Sequence, residues 1–307
     1  MSLNHEPRAM RHFVAVVESG SYSKAAKKIH LSQPALSNSV SQLEKQLGVK
    51  LLERTAQGVK PNIYGQVLYE RAKVVQAELR MVIDEIDLLR GARKGTVLIG
   101  AGPSVLEGIM LDMMLNLTNT HPNLNFSLTE GPENVLFDAV RKGELDMAIC
   151  SVPLNSTSPD LEQEIFYDSL TFPIVRSGHP LTEEEQVGWP EITRFPWVIA
   201  DTRLEPKDQE IMALVADQRP ATIIRTNSPA FMKKMVLRSD FVTFMPKTMI
   251  QMEENNGTLT TIGDPKGIYS RPIGITTRRH SFLSPACRMV IREFRKVCEA
   301  MDLVSQP

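Results

Sequence analysis

Residues Ser21–Gly48 read SYSKAAKKIHLSQPALSNSVSQLEKQLG, and the pattern inside this stretch decides what the first domain can be. Two short apolar-periodic segments, Ala25-Ala26-Ile29 and Leu36-Val40-Leu43-Leu47, stand either side of His30-Leu31 and Ser32-Gln33-Pro34. Steps of three and four predict two helices that meet through those residues. Ser21 or Ser23 can cap the first. Ser32 caps the second, with Pro34 in its first turn, where a missing N–H costs little, and Gly48 as its stop. The second helix then exposes Gln33, Ser37, Asn38, Ser41 and Gln42, a polar face with no nucleophile or acid–base pair on it. Amide side chains can bond bidentately to adenine in a major groove. Serine hydroxyls, helix N-terminal amides and the cations Lys24, Lys27, Lys28 and Arg54 suit phosphates. The unit reads as a helix-turn-helix whose second helix meets base edges; the plainer alternative is a solvated helix face.

The flanks extend this reading. Met10, Phe13, Val14 and Val17 predict a preceding helix that stops at Ser19-Gly20. Residues 49–62, VKLLERTAQGVKPN, contain Gly58 and Pro61 and read as a β-hairpin, or wing. From Ile63 to Arg90 a long helix carries Leu68, Ala72, Val75, Leu79, Val82, Ile86 and Leu89 in steps of four and three. That heptad seam favours pairing with a second copy over packing on its own domain. Residues 1–95 hold 15 Lys and Arg against 9 Asp and Glu, although the whole chain is at −1. A basic head therefore precedes an acidic body, as expected of a head that meets a polyanion.

The pattern changes at Gly95. TVLIGAG reads as a buried strand, Val105–Leu117 as a helix, LNFSLTE as a strand, Glu133–Lys142 as a helix and LDMAICS as a strand. Strands alternating with helices predict βαβ units and a parallel sheet. Further strands fall on DSLTFPIVR, FPWVIA and RPIGITTR, and further helices on Lys207–Asp217, Ala230–Arg238, Thr248–Asn255 and Pro285–Met301.

Several chemistries are absent from the sequence. GAGPSV, Gly100–Val105, follows a strand as a dinucleotide fingerprint does, but Val105 stands where the third glycine belongs. Neither a Walker lysine loop nor a G-x-S-x-G elbow occurs. The 6 histidines are scattered, and the 3 cysteines, Cys150, Cys287 and Cys298, have no disulfide or zinc spacing. No segment approaches the ~20 apolar residues of a membrane span, and the N-terminus lacks an apolar signal core. The expectation is a cytoplasmic protein that is not an enzyme and needs no metal or other cofactor.

Phe13, Gly20-Ser21-Tyr22, Ala25-Ala26, Ser32-Gln33-Pro34-Ala35, Ser37, Leu43-Glu44, Leu47-Gly48 and Leu51-Leu52-Glu53-Arg54 stand at fixed spacing. Together they resemble the N-terminal signature of LysR-type transcriptional regulators. Leu52 replaces the wing's usual Phe, and KPNIYGQ replaces the usual Leu-Thr-X-Ala-Gly, with Asn62 able to cap the long helix in place of Thr. The resemblance continues through VRKGELDMAIC, Val140–Cys150, which is similar to the family's Gly-Glu-Leu-Asp motif.

That resemblance implies an α/β fold class: an N-terminal winged helix-turn-helix (1–62), a dimerising linker helix (63–92) and an effector-binding domain (93–307) resembling periplasmic binding proteins. Subdomain I would hold about 95–155 and 274–300, and subdomain II about 165–268, with crossovers near Val152–Glu164 and Tyr269–Gly274. The implied partners are double-stranded promoter DNA, a small organic effector and further copies of the chain, first a homodimer and then a homotetramer. DNA contacts fall on Ser21, Ser23, Lys24, Ser32, Gln33, Pro34, Ala35, Ser37, Asn38, Gln42 and Arg54. Effector contacts fall on strand-to-helix loops: Gly102, Pro103, Ser104, Thr129, Glu130, Ser151, Val152, Asp201, Thr202, Asn227 and Ser228. Each Ser or Thr there is also an ordinary helix cap. LRSDFVTFMP and RPIGITTRRHSFLSPA resemble the branch with sugar- and aromatic-acid-responsive members, so the effector is expected to be a carboxylate, aromatic or sugar-like. Cys150 is either a redox sensor, as in peroxide-sensing members, or an inert buried thiol. The competing function is a small-molecule-binding protein or enzyme whose head does not read DNA.

Overall fold

The computed structural model describes residues 7–56, 58–89, 95–153, 158–200, 220–264, 267–279 and 281–301. The head comprises α1 (Pro7–Ser19), α2 (Tyr22–Lys28), α3 (Gln33–Leu47) and an antiparallel wing of β1 (Leu52–Thr55) and β2 (Gly58–Pro61). Its helices end where the caps place them. Ser21 Oγ accepts from the Lys24 amide, Ser32 Oγ accepts from the Ala35 amide, and Gly48 closes α3 in the left-handed region at φ 71°. Each side-chain cap is worth about 1 kcal/mol. Phe13, Val16, Ala25, Leu36, Val40 and Leu51 form one core, and Ala72 of the next helix completes it.

That next helix, α4 (Ile63–Leu89), starts at Asn62, whose Oδ1 accepts from the Tyr64 and Gly65 amides, each at 3.0 Å. Its two sides do different things. Tyr64, Val67, Val75, Leu79, Val82 and Ile86 are exposed, while the opposite side carries the buried Ala77 and Met81 and docks on the chain's own body. Glu78 Oε1 accepts from Arg278 Nη2 at 2.9 Å and from Ser281 Oγ at 2.7 Å, and Arg80 pairs with Asp146 at 2.5 Å. Lys73 reaches Glu18 of α1 at 2.9 Å and Glu144 of the body at 3.8 Å. Of the seven residues of the predicted seam, Val75, Leu79, Val82 and Ile86 are exposed, whereas Leu68 and Ala72 turn into the head core, so part of the heptad pattern records packing on the chain's own domain.

The body is built on a mixed sheet. β3 (Gly95–Ala101) lies parallel to β4 (Leu124–Glu130) and β5 (Met147–Ser151). β6 (Leu161–Arg176) and β11 (Tyr269–Arg278) form a long antiparallel pair that joins the two lobes, and β11 also pairs β5. The parallel sheet expected from the βαβ pattern is thus mixed, because the chain returns from the second lobe antiparallel to β5. The β6–β11 ladder shifts register at Ile273/Gly274, leaving Phe166 as an extra residue that packs edge-on against Phe294. A Cβ on Gly274 would lie 2.3 Å from the Glu164 carbonyl oxygen, so the close approach there needs glycine.

α5 (Pro103–Leu106), α6 (Met110–Thr120), α7 (Glu133–Arg141) and α11 (Pro285–Ala300) cover the first lobe. Ile99, Met113, Met147, Phe166, Ile273 and Phe294 fill its core. In the second lobe β6 also pairs β9 (Thr243–Pro246) and β10 (Leu259–Thr261), while β7 (Trp197–Ala200) lies parallel to β8 (Ile223–Thr226). α8 (Trp189–Ile192), α9 (Pro229–Leu237) and α10 (Gln251–Asn255) pack around them.

Two helices differ from expectation. Val105–Leu117 is not one helix but α5 and α6, broken around Gly108. A Cβ there would lie 2.8 Å from Ser104 O and 3.1 Å from Thr248 Oγ1, so the chain turns to let the second lobe approach. Thr248–Asn255 begins as a 3-10 turn over Lys247–Ile250 before α10. The expected helix Lys207–Asp217 lies outside the described residues.

Gly143 joins α7 to β5 at φ 71°, and a Cβ on it would lie 2.6 Å from Ala77 Cβ of α4. Gly143→Ala is expected to cost about 1–3 kcal/mol from the left-handed backbone alone. It should also loosen the docking of α4. A lower midpoint for the first thermal transition, with faster amide exchange along residues 73–81, checks this; an unchanged midpoint would refute the tight contact.

Candidate nucleic-acid interface and ligand cleft

On α3 the apolar stripe Leu36, Val40 and Leu43 is buried, which turns Gln33, Pro34, Ala35, Asn38 and Gln42 to the exposed side, with Ser37 and Ser41 half-buried at its edge. Lys24 and Ser23 are exposed on α2, and Ser21 and Ser32 sit at the two N-caps. Arg54 is exposed on β1 of the wing. Every residue singled out for DNA contact thus lies on α2, α3, their caps or the wing.

One functional residue of this region was missed by sequence reasoning. Glu44 lies on α3 among polar neighbours and looks like part of the wet face, yet it is 8% exposed. Its Oε1 accepts from the Leu51 amide at 2.9 Å and the Leu52 amide at 3.4 Å, and its Oε2 pairs with Lys50 at 2.7 Å. It ties the reading helix to the wing. Burial alone would raise its carboxyl, but Lys50 and the two amides hold it below its ordinary value. Glu18 is held low in the same way: burial opposes, while Lys73 and Lys28 prevail.

In the body, parallel pairing brings the ends of β3, β4 and β5 to one edge, where the Gly102 amide donates to Ile149 O at 3.0 Å and the Gly131 amide to Ala101 O at 3.2 Å. This edge gathers Gly102, Pro103, Ser104, Thr129, Glu130, Ser151 and Val152. Glu130 and Thr129 are exposed, Ser104 and Ser151 are half-buried, and Gly102 and Val152 are buried. In the second lobe, Asn227 and Ser228 follow β8, and Ser228 caps α9 by accepting from the Phe231 amide. Asp201 and Thr202 lie outside the described residues.

An ion-pair network links the two lobes beside these edges. Lys233 of α9 sits 3.1 Å from Glu107 at the end of α5, 3.1 Å from Glu253 of α10 and 3.0 Å from Met249 O. Burial alone would lower its ammonium, and the two carboxylates instead hold it above its ordinary value. An open hollow of about 750 Å³, lined by Glu184, Glu185 and Asp264 among others, lies elsewhere. It sits at the Arg176 end of β6, which runs antiparallel to β9, so it is at the far end of the second lobe from Asn227.

The cysteines are all buried. Cys150 packs under Gly102, where a Cβ would stand 3.1 Å from its own Cβ. Burial pushes the thiol of Cys287 up to about 11 and that of Cys298 to about 12, so both stay protonated at neutral pH. Among the described residues no group of three His, Cys, Asp or Glu is placed to hold a metal, and no helix is long and apolar enough to cross a membrane.

Comparison with known proteins divides the chain in the same way. Residues 7–66 match the bacterial regulatory helix-turn-helix protein, lysR family, and residues 90–299 match the LysR substrate binding domain. The chain is 28% identical over 295 residues to the HTH-type transcriptional regulator GbpR of Azospirillum brasilense, covering 94% of this chain and 85% of that protein. It is also 28% identical to the HTH-type transcriptional regulator PcaQ of Agrobacterium fabrum, covering 94% of each. ArgP from Mycobacterium tuberculosis shares the fold with a TM-score of 0.71 at 14% identity, over 94% of this chain and 96% of that one. Full-length CbnR in complex with its target DNA does so with a TM-score of 0.65 at 16% identity, over 95% of this chain and 100% of that one.

Because the Glu44 carboxyl is lowered in the folded head, its contribution is present above the ordinary carboxylate pKa of about 4.3 and is lost as pH falls through the folded value. The head should therefore melt at lower temperature below about pH 4.5, and Glu44→Gln should lower its melting point at pH 7 while flattening that acid dependence. Titrated thermal melts read both effects; an acid limb as steep in Glu44→Gln as in the native chain would remove Glu44 as its source.

Proposed function

The chain belongs to the LysR family of bacterial transcriptional regulators, and from that premise we propose how this member works. Residues 1–62 read promoter DNA, 63–92 pair two copies, and 93–307 bind a small organic effector that modulates promoter binding. The observation that carries this is the polar, exposed outer face of α3, held on a buried apolar stripe and flanked by exposed cations on α2 and the wing. Gln33 and Asn38 meet base edges; Ser37 and the cap at Ser32 fix register on the backbone, and Lys24 and Arg54 answer phosphates.

Two copies pair through the exposed stripe of α4. Val75 is 42% exposed, Leu79 45% and Val82 51%, a row that water covers poorly and a second copy of the same helix would bury. Two paired heads then meet half-sites about one helical turn apart. A second set of exposed apolar side chains supports a tetramer. Leu111 and Leu115 of α6 and Leu128 on the edge strand β4 are exposed in the first lobe, and Phe231 and Leu237 are exposed on α9, which packs beside β8, in the second. A patch on each lobe suits a two-fold contact that sets one lobe against the partner's other lobe.

The effector sits between the lobe edges, with Ser104, Ser151, Asn227 and Ser228 as neutral hydrogen-bonding groups and Arg225 available to a carboxylate. A carboxylated, aromatic or sugar-like molecule fits that mixture. It acts by binding one arrangement of the lobes better than another, since only such a difference shifts the equilibrium.

Sequencing genomic fragments retained by the purified protein tests the reading. A recurring two-fold site is expected, whereas weak binding indifferent to sequence would favour a binding protein with a silent head. On the selected site, Gln33→Ala should cost about 1–3 kcal/mol and relax base preference at one position. Arg54→Ala should weaken all sequences alike and reduce the slope of log affinity against log salt by about 1. Ser104→Ala should leave DNA affinity unchanged and blunt the response to metabolites encoded near the selected site; a normal response would remove Ser104 from the cleft.

A further inference from the structure

His12 plays no part in the contacts described so far, although it is set directly behind the reading helix. It lies on α1 beside Phe13, is 4% exposed, and its Nδ1 shares a hydrogen bond of 2.8 Å with the Oγ of Ser39 on α3. Ser39 directly follows Asn38, an outward-facing residue, and directly precedes Val40, which is buried. It therefore sits at the shoulder of the helix, between the face that packs and the face that reads.

The packing face alone does not fix how α3 is turned. Leu36, Val40 and Leu43 hold the helix by apolar contact, and such burial is non-directional. A rotation of about 20° would carry a side-chain tip some 5–6 Å from the axis through about 2 Å. That displacement exceeds the span of distances over which a hydrogen bond survives. Directional contacts on the two shoulders would prevent it. At 3.6 residues per turn, Ser39 and Glu44 fall on opposite flanks of the apolar stripe. Glu44 is bonded to the wing amides of Leu51 and Leu52 on one side, and Ser39 to His12 of α1 on the other.

We propose that His12 is a positioning residue for DNA reading: through Ser39 it sets the rotation of α3, and hence which base edges Gln33 and Asn38 meet. The inference rests on α3 being the reading helix. It separates two properties that a purely structural histidine would move together, the stability of the head and its discrimination between sequences. Phosphate contacts from Lys24 and Arg54 do not depend on that rotation in the same degree, because flexible cations meet a uniform backbone.

The test compares two duplexes at one salt concentration: the site selected by the native full-length chain, and a scrambled duplex of equal composition. Ser39→Ala and His12→Phe should each lower the ratio of the two affinities about tenfold, the equivalent of ~1.4 kcal/mol. Affinity for the scrambled duplex should stay within about twofold. His12→Asn, which keeps a hydrogen-bonding atom near the position of Nδ1, should restore most of the ratio. The double variant should be no worse than the poorer single one, because each single variant already removes the His12–Ser39 bond. If His12→Phe fails to fold, Ser39→Ala still decides, since it trims only a half-buried hydroxyl. A native ratio retained by Ser39→Ala, or losses that simply add in the double variant, would overturn the inference. A native chain that prefers neither duplex would instead overturn the reading of α3, and this inference with it.

Discussion

Everything in this chain depends on one helix with two committed sides. α4 is pinned to its own body by Glu78, Arg80 and the close approach of Ala77 to Gly143, while Ala72 completes the core of the head. The remaining side is apolar and exposed. A helix packed all round by its own chain could not pair with a copy, and one docked on nothing could not report on the body. The two sides lie about half a turn apart, so docking on the body leaves the apolar side open to the pairing proposed above.

The polar character of the docking matters as much as its position. Asp146 is 8% exposed and Arg278 9%, so one member of each pair is removed from water while Arg80 and Glu78 stay partly in it. Their desolvation offsets much of the attraction. What they contribute is register: Asp146 also accepts from the Leu98 amide at 2.9 Å, and Arg278 donates to Val140 O at 3.2 Å. A slip of α4 by one residue would leave these groups buried and unpaired, whereas apolar contact alone would tolerate it. Lys73 extends the same logic to the head, since it lies between Glu18 of α1 and Glu144 of the body.

How much of this was legible in the sequence follows from distance along the chain. The head was legible because its signals are local: Ser21, Ser32 and Gly48 lie within three residues of the groups they cap, and the apolar stripes repeat every three or four. The exposed row Val75, Leu79, Val82 and Ile86 of α4 was legible for the same reason, whereas the same periodicity hid that Leu68 and Ala72 turn into the head core. The docked side of α4 was not legible, because Glu78 and Arg80 read as ordinary surface charges until Arg278 and Asp146, far along the chain, come to meet them. Glu44 and His12 were hidden likewise, polar residues whose partners lie on another element. In the body, strand ends marked the loops of the candidate cleft, but the Lys233–Glu107 pair beside it leaves no pattern in sequence. The break at Gly108 was missed because an apolar run continues through it, and only the approach of Thr248 from the other lobe forces the turn.

The pairing of β6 with β11 carries a mechanical consequence. The lobes are not hung on two separate cords; they share a ribbon, bonded to itself from Leu161 to Thr171, with one irregularity where Phe166 is extra and Gly274 admits the opposite carbonyl. Only Ser270–Pro272 opposite Asp168–Leu170 is paired as two strands alone; beyond it β11 is also bonded to β5 and β6 to β9, and two-stranded stretches twist more than wider sheets. The narrowest link between the lobes therefore lies next to the bulge and not at it. The bulge itself belongs to the first lobe, where the extra Phe166 packs on Phe294 in the core and anchors one end of the shared ribbon.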